Sequence, residues 1–396
     1  MTRECIDFIK AHKDDDTARL LLSASRYPDI DLPLIANQIE SLRMAKEKWQ
    51  SLAACEEYEY PPRLNREQAS SEATALYKAS LAVSGQWTVD RVADLTGGMG
   101  IDTLALAKVA EYVDYVERDP ALCTLMERNC KALGVNNVTV HCADCMEWLQ
   151  QFKIQNSKFD IFFIDPARRA ASGRKVAAFE DCTPDILQHL DLLQSLCQRL
   201  MAKASPMIDI NLAVKQLEHV TEVHVVAVRG ECKEVLFLCG NPTEEAVIHC
   251  VNITSDGNAD FSFRRSEEQA AEAKYCTTVG RYLYDPHAAL RKGGCFRLIA
   301  QRYGLPMLAP GTHLYSSDKL QPDFPGRIFE VLQEVTLNRK FLKTIVPNGK
   351  AHVVVCNFPT EASALQKQLG LSEGGALFIV VCTVGNRRTG FLCKQI

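Results

Sequence analysis

The sequence predicts an α/β fold: a mostly parallel sheet with helices on both faces, flanked by an N-terminal helical segment and a C-terminal α+β region. Two observations lead to it. From Thr88 to Gly240 short β-branched runs alternate with helical patterns, the signature of strands joined by crossover helices. The first of those runs also ends in a glycine-rich turn, "VADLTGGMGIDTLALA", that feeds straight into a helical pattern.

The elements follow in order. Between Cys5 and Leu52, Leu34, Ile35, Ile39, Leu42 and Met44 recur at helical steps. Pro61 and Pro62 end this segment, because paired prolines favour extended backbone. The chain therefore divides into residues 1–62, 63–250 and 251–396. Ser70 or Ser71 can cap a helix in "REQASSEATALYKASLAVS". Seven strands are expected next: "RVADL", "YVDYVE", "VTVHC", "FDIFFID", "PMIDINLA", "EVHVVAV" and "EVLFLC". Only "RGECK" separates the last two, too short for a crossover helix, so they form an antiparallel hairpin. Beyond residue 250 turn-rich stretches lead to strand "AHVVVCNF", helix "EASALQKQLGL" and strands "GALFIVVCTV" and "TGFLCKQ".

Bulk properties narrow the function classes. The 396-residue chain is 47% hydrophobic, enough for large cores. No stretch is long and apolar enough to span a membrane, and "MTRECIDFIKAHKDDD" lacks the apolar centre of a signal peptide. A cytoplasmic protein is expected. Its 16 cysteines are scattered singly through apolar runs and read as buried free thiols. Cys142 and Cys145 beside His141 have no second ligand pair at zinc-finger spacing, so no metal is expected. The net charge of −4 excludes a generally cationic nucleic-acid binder, but it is unevenly spread. Residues 1–250 hold 27 Lys and Arg against 37 Asp and Glu, whereas 251–396 hold 18 against 12. An acidic body with a basic appendage offers a foothold for a polyanion or, equally, a solvated surface.

Gly97, Gly98 and Gly100 expose backbone N–H groups at a helix start and permit close ligand approach. A dinucleotide fingerprint would place Thr103 at its third glycine, an imperfect fit. Read from Asp94, the alternation Asp94, Thr96, Gly98, Gly100 resembles the first motif of class I S-adenosylmethionine-dependent methyltransferases, with Thr96 where that family has its first glycine. Glu117 closes the second strand, where a carboxylate can accept hydrogen bonds from ribose hydroxyls. Asp144 follows the third strand; the resemblance implies that it receives the adenine amino group, and it also reads as a helix N-cap. Asp165 and Pro166 arrive at the carboxyl edge of the fourth.

The motif Asp165-Pro166-Ala167-Arg168-Arg169 lacks the second proline and aromatic residue of enzymes that methylate exocyclic amines. It is similar to that of RNA 5-methyluridine methyltransferases, whose nucleophilic cysteine sits in a Ser-Cys-Asn-Pro turn; here "KASPMIDINLA" stands there, and Cys182 is the nearest cysteine. "QASSEATALYKA", "DPARR…GRKV", "GECKEVLF" and "YLYDPHAAL…THLYSSD…FPGRIFEV…TVGNRRTGF" resemble bacterial class I methyltransferases carrying a C-terminal THUMP-like domain. That resemblance implies S-adenosylmethionine as cofactor and RNA, transfer or ribosomal, as substrate. It implies donor binding by Asp94, Thr96, Gly97, Gly98, Gly100, Glu117, Asp144 and Asp165. Asp165 would accept a hydrogen bond or proton from the nucleophile, with the Pro166 carbonyl fixing its orientation. Arg168, Arg169, Arg174 and Lys175 lie beyond that edge, and Arg387 and Arg388 in a hairpin turn; these guanidinium groups can clamp phosphates or pair with acids such as Glu180 and Asp181. His141 and His224 read as strand residues rather than general bases.

Overall fold

The computed structural model describes residues 1–84, 88–155, 158–168, 178–241, 245–255 and 257–396. The chain forms two compact units, Met1–Thr221 with Val235–Thr243, and Glu222–Glu234 with Glu244–Ile396.

The first unit is built on β1 (Val89–Asp94), β2 (Ala110–Glu117), β3 (Val138–Cys142), β4 (Phe159–Ile164) and β5 (Cys197–Ala204). A hairpin of β6 (Val220–Val228) and β7 (Glu231–Cys239) begins in this unit. Hydrogen-bonded neighbours run β3-β2-β1-β4-β5-β7-β6. The first five strands are mutually parallel, and β7 pairs antiparallel to β5 from Leu200↔Cys239 to Ala204↔Val235. In β4, Phe159, Ile161, Phe162, Phe163 and Ile164 are all buried, as expected of a central parallel strand covered on both faces.

The fifth strand corrects the sequence expectation. It is "CQRLMAKA", upstream of the anticipated "PMIDINLA", whose Ile210–Leu217 is a helix. Asp209 caps that helix, accepting from Leu212 N at 3.0 Å, and Ile210, Ala213 and Leu217 form its buried face while Leu212 points to solvent.

Around the sheet lie helices α1 (Leu32–Lys48), α2 (Glu72–Ala82), α3 (Ile101–Leu106), α4 (Pro120–Leu133) and α5 (Cys145–Gln155). Residues 1–62 share a core with the sheet domain: Trp49, Leu52, Tyr58 and Tyr60 pack in one cluster with Met99, Ile101, Leu104, Tyr115 and Met126. The backbone of Glu59 exchanges two hydrogen bonds of 2.9 Å with the Asn129 side chain on α4. A single apolar cluster therefore runs across Pro61 and Pro62.

In the second unit β8 (Val247–Thr254) joins β6 in parallel, and β9 (Gly257–Arg264) joins β8 antiparallel. A separate sheet has the order β11-β12-β10-β13-β16-β15-β14, from β10 (Tyr282–Pro286), β11 (Met307–Ala309), β12 (Thr312–Ser317), β13 (Gly326–Val335), β14 (His352–Cys356), β15 (Leu377–Val384) and β16 (Arg387–Gln395). Two clusters build its core, one around Leu283, Leu314 and Phe329, the other around Leu342, Ile379 and Leu392. Among the described residues no helix is long and apolar enough to cross a membrane.

Candidate active site

The carboxyl ends of β1, β2, β3 and β4 deliver the acids singled out above. Asp94 ends β1 fully buried and accepts from Thr103 Oγ1 at 2.6 Å and Thr96 N at 3.2 Å. Burial pushes its pKa up to about 7, against those two hydrogen bonds. Thr103, which spoils a dinucleotide fingerprint, is thus an internal hydroxyl donor.

The turn after Asp94 is held on both sides. Gly97 N donates to Val116 O at 3.0 Å, and the Tyr115 hydroxyl donates to Gly98 O at 2.7 Å. A Cβ on Gly97 would lie 2.2 Å from the Tyr115 ring, so only glycine fits. Gly98 and Gly100 adopt φ of +52° and +81°, a region that glycine enters without a Cβ clash. A Cβ on Gly98 would meet nothing nearer than Thr96 O at 3.7 Å, so the turn presents open space on that side.

Glu117 reaches across from β2. One oxygen accepts from Gly98 N at 3.0 Å, the other from Arg118 N at 2.8 Å and Asp119 N at 2.9 Å. Ala143 N donates to Glu117 O at 2.9 Å, which brings the start of α5 beside it. There Asp144 is the N-cap, accepting from Met146 N at 2.9 Å and Glu147 N at 3.2 Å through Oδ1.

Thr96 supplies the link to β4: its hydroxyl oxygen accepts from Asp165 N at 2.7 Å. A glycine at this position, as in the family motif, would have no such acceptor. Asp165 Oδ2 lies 2.5 Å from the Lys203 ammonium at the end of β5. Sequence reasoning missed Lys203 because it misplaced the strand that carries it. Behind the turn, Asp102 accepts from Ser70 Oγ at 2.7 Å and lies 3.1 Å from the buried Lys78 ammonium.

The basic residues are dispersed. The backbone of Arg168 pairs with that of Cys182, while Arg169, Arg174 and Lys175 lie outside the described residues. Arg387 and Arg388 begin β16 immediately after a Gly385-Asn386 turn; Arg387 forks onto Glu334, and the Arg388 guanidinium lies 6.0 Å from the Phe358 ring centre. His141 bonds Asp114 at 2.7 Å. A cavity of about 370 Å³ lined by Trp49, Leu52, Leu76, Leu104 and Val135 contains none of the four strand-end acids.

Comparison with known proteins assigns the family. The sequence is 31% identical to a Porphyromonas gingivalis W83 protein crystallised as a methyltransferase; the match covers 99% of this chain and 97% of that one, with a TM-score of 0.84. The chain belongs to the S-adenosylmethionine-dependent methyltransferases that carry a C-terminal THUMP-like domain. An S-adenosylmethionine-dependent methyltransferase of Mycobacterium tuberculosis, described as uncharacterized, is 24% identical over 81% of this chain and 87% of its own length. Residues 89–251 of this methyltransferase match a family described as RNA cap guanine-N2 methyltransferase, residues 282–325 a ferredoxin-like domain and residues 326–395 a THUMP domain-like family. A shorter match, 35% identical over 21% of this chain and 18% of the other, is to a 23S rRNA (uracil(1939)-C(5))-methyltransferase of Xanthomonas euvesicatoria. The enzyme's cofactor is S-adenosylmethionine, and the open, glycine-rich turn beside a fixed carboxylate suits a ligand with a ribose.

Proposed function

We propose that this methyltransferase acts on RNA, with the donor lying along the ends of β1, β2 and β3 and the acceptor presented at Asp165 and Pro166. The Thr96 hydroxyl on Asp165 N carries this reading, because it locks the donor turn and the reactive edge into one rigid element. When bound, S-adenosylmethionine supplies a methyl group on a sulfonium sulfur. The chain's own work is alignment and local charge.

Glu117 accepts the ribose hydroxyls and Asp144 the adenine amino group. Gly97, Gly98 and Gly100 admit the donor's amino-acid moiety against the backbone, on a turn organised by Asp94 and Thr96. Lys203 occupies Asp165 Oδ2, and Asp165 Oδ1 takes a hydrogen bond or a proton from the acceptor, with the Pro166 carbonyl as orienting partner. Where 5-methyluridine enzymes have their nucleophilic cysteine, this chain has Ser205-Pro206-Met207. The proposed transfer is therefore not of the covalent-pyrimidine type.

Three features support RNA as substrate: the family model described as acting on RNA cap guanine, the THUMP domain-like match and the net positive charge of residues 251–396. In the appended domain an open cavity of about 880 Å³ is lined by Asn357, Phe358, Thr360, Asn386 and Arg388, a combination of stacking ring, amides and guanidinium that suits a splayed nucleotide. Arg168 and Arg169, three and four positions after Asp165 in the sequence, serve the same purpose in this proposal.

The test is tritium transfer from labelled donor into total RNA of cells lacking the gene. Label should enter RNA with the wild-type protein and be lost with Asp165→Asn, while S-adenosylhomocysteine still binds. Intact donor binding with no label in RNA would assign a different acceptor.

A further inference from the structure

We propose that Glu222, His224 and His249 form a binding site for a divalent transition-metal ion of the zinc type, a site the sequence alone did not suggest. Strand geometry creates it. Glu222 and His224, two residues apart on β6, project from the same face of the sheet. The parallel register then sets His249 of β8 directly opposite His224. The two imidazoles stack with ring centres 4.5 Å apart and planes at 9°.

Their nitrogens converge. His224 Nε2 lies 3.0 Å and His249 Nε2 3.7 Å from the same oxygen, Glu222 Oε2. All three ligand atoms fall within 4.8 Å of one another. Zinc bonds of roughly 2.0–2.2 Å put neighbouring donors about 3.3 Å apart in a tetrahedron, a value the observed separations bracket. A modest turn of each ring brings both lone pairs onto one ion.

The surroundings match what metal sites require of a second layer. Across β8 from His224 the register places Ser262 of β9 opposite His249, and its hydroxyl bonds His249 Nδ1 at 2.7 Å, which fixes the ring with Nε2 facing Glu222. Asp260 stands 3.9 Å from the same Nδ1. His224 is buried, whereas Glu222 and His249 are partly exposed, so an ion enters from one side and keeps a water ligand. Two imidazoles and a carboxylate select zinc, cobalt, nickel or copper over magnesium and calcium, which prefer oxygen donors.

The full-length protein, stripped with a chelator and dialysed, is titrated with zinc chloride and with cobalt chloride. One equivalent should bind at micromolar concentration or below, and His249→Gln and Glu222→Gln should each weaken it by roughly 100-fold or more. Because the chain has 16 cysteines, the cobalt spectrum is decisive: nitrogen and oxygen ligation gives visible bands without thiolate charge transfer. Circular dichroism and S-adenosylhomocysteine binding certify that each variant is folded, and Glu222→Gln decides alone if the histidine variant is not. Absence of stoichiometric binding, thiolate bands, or affinity unchanged in a folded variant overturns the assignment and leaves a hydrogen-bonded cluster.

Discussion

Thr96 accepts a 2.7 Å hydrogen bond from the backbone N–H of Asp165, 69 positions later in the chain. Two strand ends that the sheet merely places side by side are thereby locked together. Replacing Thr96 with Val keeps the shape but leaves the Asp165 N–H without that acceptor, at a cost of about 1–3 kcal/mol. Methyl transfer should fall roughly tenfold or more, and Thr96→Ser should restore it. Unchanged turnover in Thr96→Val would remove the link from the mechanism.

Glu117 is committed to three backbone N–H groups, so its carboxylate is held in one orientation. Glu117→Ala should weaken S-adenosylhomocysteine binding in calorimetry by about 1–3 kcal/mol, with Glu117→Gln intermediate. An unchanged dissociation constant in the alanine variant would refute the ribose role.

Asp94 makes stability depend on pH in an unusual direction. Burial raises its pKa from 3.8 to about 7, so the folded chain holds a proton there that the unfolded chain has released. This group's contribution is therefore full below about pH 4 and is lost as pH rises through 7. Compared with Asp94→Asn, the wild type should lose about 2 kcal/mol between pH 5 and pH 8 in urea unfolding. A difference that is flat or rises with pH would place Asp94 in its ionised form.

Arg387 and Arg388 adjoin in sequence but differ in environment. Glu334 already neutralises Arg387, whereas Arg388 borders the open cavity. Arg388→Glu should weaken transfer RNA binding in fluorescence anisotropy and lower the salt slope by about one, and Arg387→Glu should do less. Equal effects, or none, would exclude the cavity from the RNA surface.

The order of acids along the sheet was legible because each sits where a β-branched run stops. Asp94, Glu117, Asp144 and Asp165 needed only strand ends to be found. Lys203 was not legible: helix Leu190–Leu196 passes into β5 at Cys197 without a glycine or proline, so one helical pattern conceals two elements. The strand pair Val247–Thr254 and Gly257–Arg264 did carry a signal, alternating residues around "SDGN", that went unread. The His224–His249 pairing depends on register between two residues 25 positions apart on different strands, which periodicity within either strand does not encode.

The Trp49 indole donates to Ser70 O at 2.7 Å, Ser70 in turn donates to Asp102, and the Lys78 ammonium closes the group at Asp102, two residues after Gly100. The proline pair at 61 and 62 looks like a seam in the primary structure, but excision there would not yield a minimal catalytic fragment. A polypeptide cut to residues 63–250 would lose Trp49, Tyr58 and Tyr60 from beneath the donor turn and bare Met99, Ile101 and Leu104 to water. What resembles a leader to the enzyme is part of the core that underlies its glycine turn.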